Sequence, residues 1–169
     1  NILLLSKKNT QGYSDFIQQL FIPFLITEIE IPLEGPSTSS TIIHSLENIS
    51  LSQFDLILII RGGGNTTEIS NSFDKLELFE CLKSSPIPVI TAIGHANDTK
   101  DKLLITEISD FDIETPTSLA KYINNIFFNT FQYRITKELE KNQELIHSLE
   151  TKQFKNCLLY TSPSPRDGL

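Results

Sequence analysis

The sequence predicts an α/β domain, a parallel sheet with helices on both faces (doubly wound), followed by a long C-terminal helix. Two observations carry this. Short apolar runs alternate with amphipathic segments through the first part of the chain, which is the βα rhythm of a parallel sheet. From Ser118 the pattern changes to apolar residues three, four and seven apart, the spacing of one helix face.

The strand-like runs are Ile2–Leu5, Glu28–Ile31, Leu56–Ile60 and Pro88–Ile93, with helix-like segments at Ser14–Leu20, Thr41–Ile49 and Phe73–Leu82 between them. Leu56–Ile60 and Val89–Ile93 are largely apolar on both faces, as central strands covered by helices must be. The polar run Pro36–Thr41 reads as a loop leading into a helix. Leu119, Ile123, Phe127, Phe131, Ile135, Leu139, Ile146 and Leu149 mark the long helix, with Lys and Glu between them. The expected division is therefore an α/β domain over 1–117, a helix opening a coiled-coil arm over 118–156, and a tail over 157–169. The tail breaks into a Ser/Pro string whose residues Cys157–Asp167 resemble read-through into a transposase sequencing adaptor, so it is expected to join no core.

A chain of 169 residues, 39% hydrophobic, has room for one core. Its longest apolar runs, Phe21–Ile26 and Leu56–Ile60, fall far short of the roughly 20 residues of a spanning helix. Asn1–Leu5 lacks a basic lead and a cleavage pattern, and its start inside a strand suggests that the chain begins mid-protein. Cys81 and Cys157 lie far apart without metal-like spacing, which suits a reducing, cytoplasmic setting. The net charge of −7 argues against bulk polyanion binding, and leaves open a local site for one phosphate.

In open parallel sheets, ligands bind beyond the carboxyl ends of the strands where strand order reverses. Three loops qualify: Ser6–Asp15, Arg61–Asn65 and Gly94–Asp98. They converge if strands one, three and four are neighbours. Gly62, Gly63 and Gly64 follow Arg61 directly, so backbone N–H groups can approach an anion while the guanidinium pairs with phosphate oxygens. The plainer alternative is a flexible turn with a solvated arginine. The run is neither a Walker motif nor a dinucleotide fingerprint. His95 can act as general base, general acid or nucleophile, with Asp98 close enough to orient it. Asp15 is expected on the first turn of the first helix, where interaction with the helix dipole alone would account for it. His44 and His147 read as solvated or packed helical residues. Asp15, Asp98 and Asp101 form no recognisable metal-binding motif, so no metal is indicated.

Arg61-Gly62-Gly63-Gly64, then Pro88–His95 with Asp98, then Thr115-Pro116-Thr117, together resemble the large-subunit family of exonuclease VII. Leu4–Ser6 and Gly12–Phe16 fit that family's first strand and helix, and the likeness extends over Ile2–Asn156. The resemblance implies hydrolysis of single-stranded DNA from either end without a required metal or other cofactor, giving oligonucleotides ending in 5′-phosphate. It assigns the functional positions to Asp15, Arg61, His95 and Asp98. It also implies an N-terminal OB-fold for strand binding and several copies of a small subunit on the long helix. Ala96 stands where the family usually has Glu, Thr67-Glu68 where it has an acidic pair, and Asp112 where Arg is common. These departures suggest a divergent branch. The rival readings are a non-catalytic relative that binds DNA or a partner, and a small-molecule phosphate- or nucleotide-binding domain.

Overall fold

The computed structural model describes residues 1–21, 24–94, 104–108, 113 and 115–160, with the side chains of all of these except 66, 106 and 156–160. Four strands, β1 (Ile2–Ser6), β2 (Ile26–Glu30), β3 (Leu56–Arg61) and β4 (Val89–Ile93), form a parallel sheet in the order β2-β1-β3-β4. Leu4 lies opposite Leu58, and Leu58 opposite Ile90. The chain runs outward from β1 to β2, returns across β1 to β3 and continues to β4. Strand order therefore reverses between β1 and β3, as the convergence of the three loops requires.

Side chains alternate across the strands, so each face of the sheet builds its own core. Leu3, Leu5, Ile57 and Ile59 pack with Ile42 and Leu46 of α2 (Thr38–Glu47), Ile69 and Phe73 of α3 (Thr66–Phe73), and Leu78 and Leu82 of α4 (Leu76–Lys83). On the opposite face Ile2, Leu4, Leu58, Ile60, Ile90 and Ala92 pack with Phe16 of α1 (Gln11–Gln19) and with Leu119, Ala120 and Ile123 from the first turns of α5 (Pro116–Tyr160). The expected doubly wound arrangement is present. Buried Asn124 ties α5 to the end of α1: its Nδ2 donates to the Gln19 carbonyl at 2.7 Å, and its Oδ1 accepts from the Phe21 N–H at 3.2 Å.

Three helix boundaries differ from the sequence reading, each for a local reason. α1 starts at Gln11, before Ser14, because Thr10 caps it and accepts from the Tyr13 N–H. α2 takes in part of the Ser/Thr run that reads as a loop, since Thr38 and Ser39 are buried and Ser39 Oγ donates to the Ser72 carbonyl at 2.6 Å. Two helices stand in this region: α3, which the sequence reading did not place, ends at Phe73, and the helix expected over Phe73–Leu82 is α4, starting at Leu76. Asn65 caps the first by accepting from the Thr67 N–H at 3.0 Å, and Asp74 leaves helical geometry with φ −86° and ψ 67°.

The chain forms two compact units, Asn1–Asn125 and Ile126–Leu169. The boundary falls inside α5, past the division expected at 117, because the first turns of that helix complete the sheet's core. α5 continues through Tyr160, beyond the compositional break at Cys157, and Pro163 is the first helix-breaking residue after it. In the second unit Phe127 and Phe131 stack with centroids 5.9 Å apart, and Phe131, Ile135, Leu139, Ile146 and Leu149 are exposed. Among the described residues no helix is long and apolar enough to cross a membrane.

Two contacts fix the loop between β1 and α1. Glu28 on β2 accepts from Tyr13 Oη and Lys8 Nζ, each at 2.6 Å. These donors hold its carboxyl below the ordinary range, that of Lys8 most of all and then that of Tyr13. The second contact is backbone against backbone: a Cβ on Gly12 would lie 2.6 Å from the Gly62 nitrogen and 2.8 Å from its Cα, whereas one on Gly62 would meet Gly12 only at 3.3 Å.

A Cβ on Gly12 would meet main-chain atoms, so backbone must shift to admit it, and Gly12→Ala should cost about 1–3 kcal/mol by overpacking. Gly62→Ala should cost measurably less, and chemical denaturation of both variants checks the ranking. A folded-state carboxyl lowered below its unfolded value contributes stability that is lost as pH falls through the lowered value. Between about pH 5 and pH 3 the melting temperature of the wild type should therefore fall more steeply than that of Glu28→Gln. Parallel slopes would contradict the clamp.

Candidate active site

A cavity of about 520 Å³ opens at the carboxyl ends of β1, β3 and β4. It is lined by Thr10, Gln11, Gly12 and Asp15 after β1, by Arg61–Gly64 after β3, by Gly94 after β4, and by Thr115–Thr117 at the start of α5. The three loops singled out in the sequence meet here through their described residues. His95 and Asp98 lie outside the described residues, as do Ala96, Asp101 and Asp112. His95 directly follows Gly94 in the chain, and Gly94 has φ 128°, a conformation that favours glycine.

Arg61 is the last residue of β3 and only 3% exposed, which rules out a solvated arginine. Its Nε donates to the Leu33 carbonyl at 3.1 Å, Nη1 to the Gly62 carbonyl at 3.4 Å, and Nη2 to Glu34 Oε1 at 3.4 Å. Gly64 lies against the guanidinium: a Cβ there would come within 2.8 Å of Nη2 and 2.9 Å of Nη1. Burial lowers the Arg61 pKa, while Glu34 and Glu68 oppose that shift. A guanidinium starts so far above neutrality that it keeps its charge. Among the described residues the N–H groups of Gly62, Gly63 and Gly64 have no hydrogen-bond acceptor, and Gly63 and Gly64 are exposed.

Two helix N-termini border the cavity. Thr10 caps α1, and Thr115 caps α5 by accepting from the Ser118 N–H at 3.2 Å. Unpaired first-turn N–H groups and the helix dipole make such ends favourable to anions. Arg61 is the one cationic side chain lining the cavity among the described residues, and it faces the carboxylates of Asp15 and Glu34. Asp15 sits on the second turn of α1, because the helix begins three residues earlier than the sequence reading placed it. The dipole account of Asp15 is corrected accordingly. Its carboxylate lines the cavity and accepts from Gln11 Nε2.

Sequence reasoning missed Leu33 and Glu34, which follow the edge strand β2 and sit in no motif; only the fold brings them to Arg61. It also missed the capping roles of Thr10 and Thr115, although Thr10 and Thr115 each stand at a helix start, where such residues are favoured. Among the described residues no group of three or more His, Cys, Asp or Glu is placed to hold a metal ion.

Comparison with known proteins agrees with the motif reading. The family model for the exonuclease VII large subunit matches residues 1–163. The exodeoxyribonuclease 7 large subunit of Acholeplasma laidlawii is 36% identical over 102 residues, covering 58% of this chain and 22% of that protein. That of Clostridium kluyveri is 29% identical over 156 residues, covering 85% and 36%. That of Pseudothermotoga lettingae is 25% identical over 121 residues, covering 70% and 30%. The chain thus spans about a fifth to about a third of the length of these curated relatives. With nearly its whole length matched by the family model, the chain belongs to the exonuclease VII large-subunit family.

Proposed function

We propose that this chain carries the catalytic part of an exodeoxyribonuclease that hydrolyses phosphodiester bonds in single-stranded DNA from either end, leaving 5′-phosphates. The observation that carries the reading is the buried Arg61 guanidinium beside the Gly62–Gly64 amides, in a cavity bordered by two helix N-termini. Such an arrangement suits a scissile phosphate, whose charge builds up on the non-bridging oxygens as a nucleophile attacks phosphorus. In this mechanism Arg61 and the glycine amides hold the phosphate and stabilise that charge. His95 performs the acid–base or nucleophilic step, Asp98 orients it, and Asp15 positions water or the leaving 3′-oxygen. The fixed positive groups do what a divalent ion does in many nucleases, so the reaction proceeds without a metal.

The remaining parts of the proposal concern the longer protein. Strand affinity comes from an OB-fold of the kind the family carries, through stacking and a basic groove, which reconciles DNA binding with the acidity of this chain. The exposed apolar positions of the long helix within 118–156 receive several copies of the small subunit. The complex works in the cytoplasm. Residues 157–169 take no part.

The test uses the complete protein with its small subunit. Cleavage of single-stranded DNA should survive EDTA. Arg61→Ala should lower the rate by roughly 10²–10³, the scale for losing one transition-state charge donor. His95→Ala should cost at least as much, and both variants should still bind single strands. Loss of cleavage in EDTA with recovery in magnesium would make Asp15 and Asp98 metal ligands and overturn the assignment.

A further inference from the structure

Among the described residues Glu34 is the one side chain that places a negative charge directly on the Arg61 guanidinium, with Oε1 3.4 Å from Nη2. The pair is lopsided. Arg61 is 3% exposed and the Glu34 side chain 68%, so the arginine is fixed while the glutamate reaches in from solvent. Leu33, one residue earlier, holds Arg61 Nε through its carbonyl. Gly35, one residue later, donates its N–H to Ser72 Oγ at 3.0 Å, and its φ of 99° sets the turn. The backbone on either side is thus anchored, and only the Glu34 side chain is left to swing. Its carboxylate lines the cavity and sits where an oxygen of a bound phosphate would meet Nη2.

We propose that Glu34 is a resident counter-ion of the phosphate site, displaced by the substrate, and that its charge makes the site prefer a singly charged phosphodiester to a doubly charged terminal phosphate. This rests on the phosphate reading above and deepens it. A displaced Glu34 remains tethered at the cavity rim, and its repulsion of a dianion is twice that of a monoanion at the same distance. Asp15 on α1 and Glu68 on α3 add to the same background. Cleavage converts an internal diester into a 5′-phosphate monoester, so the charge that tolerates the substrate helps expel the product.

The experiment is calorimetric titration of this chain at about pH 8, where inorganic phosphate is a dianion, with inorganic phosphate and the dinucleoside monophosphate TpT as probes. Glu34→Gln should tighten TpT about threefold and inorganic phosphate about tenfold, because removing one charge relieves twice the repulsion for the dianion. Arg61→Ala, or Arg61→Gln if the smaller side chain does not support the fold, should weaken both probes. If Glu34→Gln changes the two probes equally or not at all while the Arg61 variant weakens both, the role of Glu34 is overturned and the phosphate site stands. If the Arg61 variant folds and binds both probes as the wild type does, the phosphate reading itself falls and takes the Glu34 proposal with it.

Discussion

The site depends on two backbones passing each other with no side chain between them. Gly12 in the first turn of α1 and Gly62 just beyond β3 approach so closely that a Cβ on Gly12 would overlap main-chain atoms. That crossing brings the N-terminus of α1 to the cavity and starts the glycine run where it can face an anion. It also sets Asp15, one helical turn beyond Gly12, on the cavity wall. Phe16 anchors the same helix in the core with no exposed surface, and Asn124 holds its far end to α5. The helix is therefore fixed at its start, middle and end before any chemistry is asked of it.

Charge follows from the same geometry. A chain of net charge −7 is a poor partner for a polyanion by bulk electrostatics, and yet it buries an arginine at the end of a central strand. Burial weakens the solvation of that cation, and its three nitrogens are met by two carbonyls and one exposed carboxylate. Two of its acceptors are neutral carbonyls and the third is the exposed carboxylate of Glu34, a weak, solvent-screened partner that an anion can displace. The helix ends at Thr10 and Thr115 add to the same side of the balance.

Much of this was legible in the sequence because it is written in periodicity and in glycine. Leu56–Ile60 and Val89–Ile93 are apolar on both faces and lie as neighbours, and the alternation of β1 sorts its residues between two cores. Arg61 with its glycines pointed to this place because such a run after a buried strand lets backbone approach closely, and the burial of Arg61 and the contact of Gly62 with Gly12 then decide against a solvated turn. What was not legible depends on packing between segments distant in sequence. The break at Asp74 has no proline or glycine to announce it, and the burial of Thr38 and Ser39 against α3 converts an apparent loop into helix. Glu34 sits in an ordinary polar stretch and acquires meaning only when β2 is placed beside β1.

The central claim is that one phosphate sits between Arg61, the Gly62–Gly64 amides and the starts of α1 and α5. The most direct measurement is a nitrogen–proton correlation spectrum of this chain recorded as a short single-stranded thymidine oligonucleotide is added. The account predicts that the largest shifts fall on the amides of Gly62, Gly63, Gly64 and Thr117 and on Arg61 Nε, with the His95 ring following. Shifts confined to the outer edge of β2, or to the helix beyond Ile126, would contradict it.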